Sequence, residues 1–556
     1  MTVAYDSRTV RAAEAPLLAA GAPLMERAAF GLAAVVGREL RGVTGRVGGG
    51  RVVVLVGPGN NGGDALFAGA RLARRGVRVT AVLTSERVHE AGLAALVAAG
   101  GRRVSLVASL VGPDDPARAH GVAVSAAARL VLDADVVLDG LLGLGASGGL
   151  RGVARDLVSA VLHPPAQLAE AAGTVVGTAR AASGRPFVVA VDCPSGIGVD
   201  DGSVPGVVLP ADVTVTFGAL KPGLLLPPAA GLAGRVETVD VGLGLGVAGD
   251  PGEGRPTVRR LSARDVVGQR LVAAPGSAVH KYTRGVVGVV AGTEQYPGAA
   301  VLTVSGAVRT GTGMVRYLGA RDVTSAVLAA RPEAVAAGGR VQAWALGPGI
   351  STAPPATDDA TRAQQGRIRH ALAHVIGELS SDVVGDKVPA VVDAGALALL
   401  PRSCPPWLVL TPHAGELAQL LRSRGENVER PDVEAEPLRW AQGARALTGA
   451  TVLLKGEVTL VVGPGCVYSQ ADGPAWLATA GAGDVLTGIL GALLAAHSVA
   501  AVKDPTLPAR LAAAAALLHG LAAHRANPGG PVAALDVADA LPATVAHLLR
   551  EHAAAR

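Results

Sequence analysis

Cysteine is scarce in this chain: three in 556 residues. Cys193, Cys404 and Cys466 lie far apart with no C-x-x-C pair. That spacing excludes a disulfide framework and a cysteine zinc site, and it fits a reducing cytoplasm. Aromatic residues make up only 2%. The core must therefore be built from Ala, Val and Leu, which the 50% hydrophobic content allows. Long apolar runs are missing too, since the longest, Leu511 to Leu518, stops at His519 and is too short to span a bilayer. The first residues include Asp6 and Glu14 and lack the apolar segment of a secretory leader. There is no Lys/Arg block or aromatic-interleaved basic stripe, and the net charge is +5, which argues against nucleic-acid binding. We expect a cytoplasmic protein of about two to four domains, with small-molecule partners, no nucleic acid and no membrane.

Glycine, by contrast, is abundant at 75 residues, and it clusters where chemistry can occur. The stretch Ala478-Thr479-Ala480-Gly481-Ala482-Gly483-Asp484 leads into an apolar run that reads as a helix. Small residues there leave backbone N–H groups unpaired at a helix N-terminus, a ready site for a phosphate. An aspartate at the lip of that turn can take a proton from a hydroxyl while the amides stabilise the transferring group. A glycine-rich turn with a capping aspartate has the same sequence, so the rest of the chain must decide.

In the first half, amphipathic helices are expected around Ala12 to Val36. Arg51 to Val56 reads as a buried parallel strand. It runs into Gly57-Pro58-Gly59-Asn60-Asn61-Gly62-Gly63-Asp64, with a helix expected over Ala65 to Arg75. Strand, glycine turn and helix in that order suit a bound dinucleotide, but this turn carries two amides and a carboxylate. Two later strands end in Asp139-Gly140-Leu141-Leu142-Gly143-Leu144-Gly145 and Asp192-Cys193-Pro194-Ser195-Gly196. Acids and small residues at successive strand ends mark the ligand edge of an open parallel sheet.

These motifs, followed by Thr216-Phe217-Gly218-Ala219-Leu220-Lys221-Pro222-Gly223 and preceded by Leu24-Met25-Glu26-Arg27-Ala28-Ala29, resemble the NAD(P)H-hydrate epimerase (YjeF N-terminal) family over roughly Arg11 to Leu243. The resemblance implies a Rossmann-like fold and a hydrated nicotinamide dinucleotide as substrate beside a potassium ion. It places Asn60, Asn61, Gly62, Gly63 and Asp64 on the substrate. It places Gly143, Leu144, Gly145, Ala146, Ser147, Gly148 and Gly149 on the pyrophosphate. Asp192 becomes the acid/base, and Asn61, Asp139 and Ser195 the potassium ligands, oxygen donors suited to a hard cation. The chain departs from the family pattern at Ala65 (usually Gly), at Gly140 (usually Ala) and in a longer segment, 163–185, expected to be a surface excursion.

Gly244 to Thr257 has the composition of a linker. Alternating strands and helices then resume, with strands ending in Ala291-Gly292-Thr293, Gly347-Pro348-Gly349, Asp393-Ala394-Gly395, Thr411-Pro412-His413-Ala414-Gly415-Glu416 and Lys455-Gly456. The pattern argues a second, mostly parallel sheet. With G-A-G-D it resembles the ribokinase-like fold, and T-P-H-x-G-E makes it most similar to the ADP/ATP-dependent NAD(P)H-hydrate dehydratase (YjeF C-terminal) family over roughly Ser262 to Leu549. The implied reaction phosphorylates the hydrate hydroxyl and then expels phosphate. Asp484 would be the base, with Gly481, Ala482 and Gly483 as the anion hole. Lys455, Gly456, Glu457, Val458 and Thr459 would hold the nucleotide, ADP by the same resemblance, with magnesium bridging its phosphates. Gly349 and His413 would position the hydrate. Gly395 stands where the family often repeats an Asp, and the approach Gly473 to Leu477 lacks the family's Asn-Pro and looks one residue longer.

The expectation is therefore an α/β protein of two domains. Residues 1–245 would form a Rossmann-like three-layer epimerase, 246–257 a linker, and 258–556 a ribokinase-like dehydratase, the whole forming homo-oligomers. Two rivals use the same residues: a ribokinase-like vitamin or sugar kinase carrying a non-catalytic dinucleotide-binding module, and a chain whose first domain is only a scaffold. His370 and His374 share a helical face but have no third ligand, so they are expected on a plain surface helix.

Overall fold

The computed structural model describes residues 1–107, 116–145, 148–164, 185–245, 257–350, 359–377 and 387–554. They build two compact units, one of Ala4–Thr257 and one of Val258–Arg556 with Met1–Val3. The expected linker and the expected excursion fall mainly outside the described residues. Among the described residues, no single helix is long and apolar enough to cross a membrane.

The first strand, β1 (Thr2–Ala4), belongs to the second sheet, described below. The first unit holds seven parallel strands: β2 (Arg51–Val56), β3 (Arg78–Leu83), β4 (Arg102–Ser105), β5 (Val136–Gly140), β6 (Phe187–Val191), β7 (Val213–Phe217) and β8 (Arg235–Val239). Their order is β4-β3-β2-β5-β6-β7-β8. The chain works outward from β2 to β4, then returns to β5 and works outward the other way. That reversal opens a crevice at the carboxyl ends of β2 and β5, where open α/β sheets take ligands. Val53 and Leu55 pack in one cluster with Ala127, Ala128, Leu157 and Val158, while Val54 on the opposite face meets Gly69 of the helix Asn60–Ala73. Both faces are thus covered, which is why these strands read as continuous apolar runs.

The second sheet has ten strands: β1, then β9 (Val258–Arg260), β10 (Val286–Val290), β11 (Met314–Tyr317), β12 (Ala343–Leu346), β13 (Ala390–Val392), β14 (Leu408–Leu410), β15 (Thr451–Leu454), β16 (Thr459–Gly463) and β17 (Cys466–Gln470), in the order β1-β9-β17-β16-β15-β14-β13-β12-β10-β11. Strands β10 to β15 pair in parallel, whereas β15, β16 and β17 form an antiparallel meander. The order reverses between β10 and β12, and Gly292 N–H donates to Pro348 O across that point at 2.7 Å.

The helix Ala482–Ala496 is buried along most of its length. A Cβ at Gly488 would lie 2.1 Å from Thr303 O, and one at Gly306 2.4 Å from Val485 O. This helix and the helix Pro297–Thr310 therefore touch backbone to backbone, a packing open only to glycine. A core with few aromatics closes by such approaches rather than by large side chains.

Candidate active sites

In the first unit, β2 ends in a turn that depends on Gly57, whose Cβ would fall 1.8 Å from Leu141 O. Gly59, at φ 93°, then caps a helix that begins at Asn60 rather than at Ala65. The expected open turn is thus shorter, and Asn60 to Asp64 form the first helical turns because the left-handed glycine already reverses the chain. Asn61 and Asp64 fall three apart, on one face. Gly62 and Gly63 serve packing: a Cβ on Gly62 would meet Gly57 O at 2.5 Å, and one on Gly63 the His89 ring at 2.9 Å. The two departures at 65 and 140 are a single exchange of size. A Cβ on Gly140 would lie 2.8 Å from the Ala65 methyl, so a methyl on one side requires glycine on the other.

Asn61 Nδ2 donates to Leu142 O at 2.7 Å and to Val191 O at 2.8 Å, joining the ends of three strands. Ser195 Oγ accepts from Leu142 N–H at 2.9 Å. Asp139, fully buried, accepts from Ser195 N–H at 2.8 Å and Leu141 N–H at 3.3 Å. No ion pair to Asp139 occurs among the described residues, and burial raises its carboxyl above the usual range. Asn61, Asp139 and Ser195 thus form one cluster of oxygen donors around an uncompensated buried acid, chemistry that fits a hard monovalent cation.

Asp192 sits at φ 66°, a conformation unusual outside glycine. Its carboxylate accepts from Thr216 Oγ and Phe217 N–H, both at 3.1 Å, and pairs with the Lys221 ammonium. Lys221 is 1% exposed and also donates to Thr216 Oγ and Phe217 O, both at 3.0 Å. A cavity of about 640 Å³ collects Asn60, Asn61, Asp64, Gly143, Leu144, Gly145 and Asp192, together with Arg11, Glu14, Phe217 and Lys221. Asp64 is 8% exposed, and its Oδ1 has no hydrogen-bond partner among the described residues. Burial, then the Asp192 and Glu14 charges, push its carboxyl well above the usual value. Gly148 and Gly149 lie farther along the same loop, Gly149 beside Gly206; Ala146 and Ser147 lie outside the described residues. Lys221 is a residue that the sequence does not mark, because nothing local signals that it reaches back to residue 192.

In the second unit, Gly481 at φ 84° caps the helix Ala482–Ala496, so Asp484 is in its first turn and not at the cap. Ala482 N–H reaches Thr479 O only at 3.4 Å. The N–H groups of Gly481 and Gly483 have no acceptor among the described residues. Lys455, at the end of β15, bonds Asp393 Oδ1 at 2.7 Å and lies 3.6 Å from Glu416. Thr487 Oγ donates to Asp393 Oδ2 at 3.0 Å. A Cβ on Gly483 would stand 3.3 Å from Lys455 Nζ, so the ammonium borders the helix N-terminus. Asp484 is pushed up to about 7, by burial first and then by Asp393 and Glu416, against the pull of Lys455. Three carboxylates share one ammonium.

Asp393, Glu416 and Thr487 are the partners that sequence reasoning missed: Asp393 closes a strand-then-acid pattern and Glu416 ends T-P-H-x-G-E, whereas Thr487 lies within the helix Ala482–Ala496 and has no motif to mark it. His413 caps the helix Ala414–Ser423, its Nδ1 accepting from the N–H groups of Gly415 and Glu416 at 3.1 and 3.2 Å. Gly349, at φ 68°, accepts from Thr293 Oγ through its carbonyl at 3.1 Å. Gly456, Glu457 and Val458 make the β15–β16 turn, with Thr459 opening β16. At Gly395 a Cβ would meet Ile350 O at 2.2 Å, so no second aspartate fits there. Trp476, on the approach to Gly481, is 52% exposed.

Residues 21–223 match the family model described as YjeF-related protein N-terminus, and residues 287–542 the model NAD(P)H-hydrate dehydratase. The chain is 41% identical over 508 residues to the bifunctional NAD(P)H-hydrate repair enzyme of Mycobacterium tuberculosis, covering 88% of this chain and 89% of that protein. It is 48% identical over 246 residues to the NAD(P)H-hydrate epimerase of Clavibacter michiganensis, 43% of this chain and 91% of the relative. Among solved structures it is similar to the ADP/ATP-dependent NAD(P)H-hydrate dehydratase of Bacillus subtilis co-crystallised with ATP and magnesium, at 26% identity and a TM-score of 0.41, over 50% of this chain and 94% of that one. Identity at this level across nearly the whole length, with both family models in order, assigns the chain to the family of bifunctional NAD(P)H-hydrate repair enzymes.

Proposed function

We propose that the chain repairs hydrated nicotinamide dinucleotides at two separate sites. The unit Ala4–Thr257 interconverts the R and S hydrates. The unit Val258–Arg556 dehydrates the S hydrate to NADH or NADPH and consumes ADP, giving AMP and phosphate. The observation that carries this reading is Asp484 in the first turn of a glycine-capped helix, beside uncommitted N–H groups and pushed up to about 7. A carboxylate with that affinity accepts a hydroxyl proton near neutral pH, and the amides receive the phosphoryl group.

In the dehydratase step the C6 hydroxyl gives its proton to Asp484 and its oxygen bonds the terminal phosphorus of ADP, while the bond from that phosphorus to AMP breaks. The C6–O bond then breaks with phosphate leaving, and loss of the C5 proton restores the dihydropyridine ring. Lys455 supplies a fixed positive charge beside the N–H groups of Gly481 and Gly483, with Gly456, Glu457, Val458 and Thr459 along the nucleotide. Among the described residues no three His, Cys, Asp or Glu side chains group as a metal site. Magnesium would accordingly come with the nucleotide phosphates, neutralising their charge.

Inversion at C6 needs one group to give a proton while another takes one, whether the ring opens or water leaves. Asp64 and Asp192 line one cavity in unlike surroundings, the first without a described partner and the second paired with Lys221. Two carboxyls set apart in this way suit the acid and the base. Asn61, Asp139 and Ser195 would hold potassium, which supplies a fixed positive charge beside the anionic substrate. The test is purified protein with magnesium and either ADP or ATP, given each hydrate epimer separately. The near-ultraviolet absorbance of the reduced nicotinamide should return from both epimers with ADP. No return with either nucleotide overturns the reading, and return with ATP alone overturns the choice of ADP.

A further inference from the structure

The helix Ser7–Ala19 precedes the residues matched by the first family model, yet it forms part of the cavity wall. Its start is fixed at Ser7, whose N–H and Oγ donate to the two carboxylate oxygens of Asp200 at 2.7 and 2.6 Å, and by the Asp6 cap on Thr9 N–H at 2.7 Å. One turn on, Arg11 and Glu14 face the cavity. Arg11 Nη2 donates to Leu144 O at 2.5 Å, inside the glycine loop that follows β5.

The cavity is lined by two cations, Arg11 and Lys221, and three carboxyls, Glu14, Asp64 and Asp192. The three ammonium hydrogens of Lys221 already have three acceptors, Asp192, Thr216 and Phe217, so it has no donor left for a ligand. A guanidinium has five N–H donors, and Arg11 uses one in the described hydrogen bonds. A ligand bearing phosphates, entering a wall with more carboxyl groups than cations, needs a cation with free donors to meet it. Arg11 is the cation among the lining residues with donors to spare, held beside the loop by its own bond to that loop.

We infer that the helix Ser7–Ala19 is the phosphate-binding wall of the epimerase cavity, with Arg11 making a forked contact to the dinucleotide's pyrophosphate over the Gly143–Gly145 turn. This rests on the epimerase reading above. The bond to Leu144 orients the guanidinium plane while its remaining N–H groups point to the ligand, the geometry that favours arginine over lysine for phosphate oxygens. Because the contact is remote from C6, it is made equally in the ground and transition states, and its loss raises KM and leaves kcat alone.

The experiment compares wild type, Arg11→Ala and Arg11→Lys on the R hydrate of the dinucleotide and on the hydrate of reduced nicotinamide riboside, which has no phosphate. Epimer composition is followed by chromatography at two ionic strengths. S-hydrate dehydration by the same preparations checks that each variant is folded and active elsewhere. Arg11→Ala should raise KM for the dinucleotide hydrate about 10- to 100-fold, with kcat within about twofold. Arg11→Lys should recover part of the loss, the salt dependence of KM should weaken, and the riboside hydrate should be turned over as by wild type. An unchanged KM, a fall in kcat alone, or an equal loss on the riboside would show that Arg11 only braces the loop, and would overturn the inference. A wild type that epimerises neither compound removes the epimerase reading itself, and this inference with it.

Discussion

Asp192 and Asp484 stand at comparable places, each at the carboxyl edge of a parallel sheet near a switch in strand order and near a helix capped by a left-handed glycine. Their surroundings differ in charge. Asp192 faces one buried lysine whose hydrogens are all committed to it and to its neighbours. Asp484 shares the Lys455 ammonium with Asp393 and Glu416 and is pushed up to about 7. One architecture thus gives a paired carboxylate in one unit and a crowded one in the other. The balance of charge around the carboxylate, more than the fold, sets whether it stands in a buried ion pair or among other carboxylates.

The largest effect should come from breaking the paired side of this comparison. Lys221→Met leaves Asp192 buried without its ammonium, which costs about 3–5 kcal/mol; denaturant unfolding should show a large fall in midpoint, partly restored by adding Asp192→Asn. A single variant as stable as wild type would mean the pair does not fix Asp192. On the crowded side, Asp484→Asn should lower S-hydrate kcat by about a hundredfold or more. R-to-S interconversion should be unchanged in that protein, and loss of both activities would deny that the sites are separate.

The pH dependence sharpens the contrast. As the proposed base, Asp484 acts in its ionised form, so S-hydrate kcat should climb with pH up to about 7 and level off above it. Stability runs the other way. Its folded pKa lies above the ordinary carboxylate value, so the folded form binds more protons between the two values, and stability falls as pH rises through that window. Asp484→Asn removes this penalty and should unfold at a higher temperature than wild type near about pH 8. An unfolding temperature equal to that of wild type would mean that the crowding is relieved in solution. The smallest effect is at His413, whose ring caps a helix. His413→Ala should cost about 0.5–2 kcal/mol of stability, and a substrate role would add a rise in KM for the S hydrate.

Much of this was readable in the sequence because it is local. Apolar runs ending in glycine or acid placed β2, β5, β6, β10 and β12 to β15, and the glycine turns fixed which edge carries the chemistry. What was not readable depends on distant neighbours. The ion pair between Asp192 and Lys221 joins two motifs through the order of β6 and β7, and no spacing rule announces it. The early start of the helix at Asn60 follows from Gly59 and overrides the poor helix propensity of Asn and Gly. The meander of β16 and β17 hides because short buried strands look alike whether parallel or antiparallel. Ala65 and Gly140, seen as two departures from a pattern, become one once their distance is known.

The central claim is two independent sites on one chain, and mixing two damaged proteins tests it most directly. Asp192→Asn should repair only the S hydrate, leaving the R form to its spontaneous interconversion, while Asp484→Asn should interconvert the epimers and repair neither. Combined in equal amounts with ADP, magnesium and the R hydrate, they should return the reduced-nicotinamide signal well above either protein alone. A mixture no faster than Asp192→Asn by itself would contradict the account.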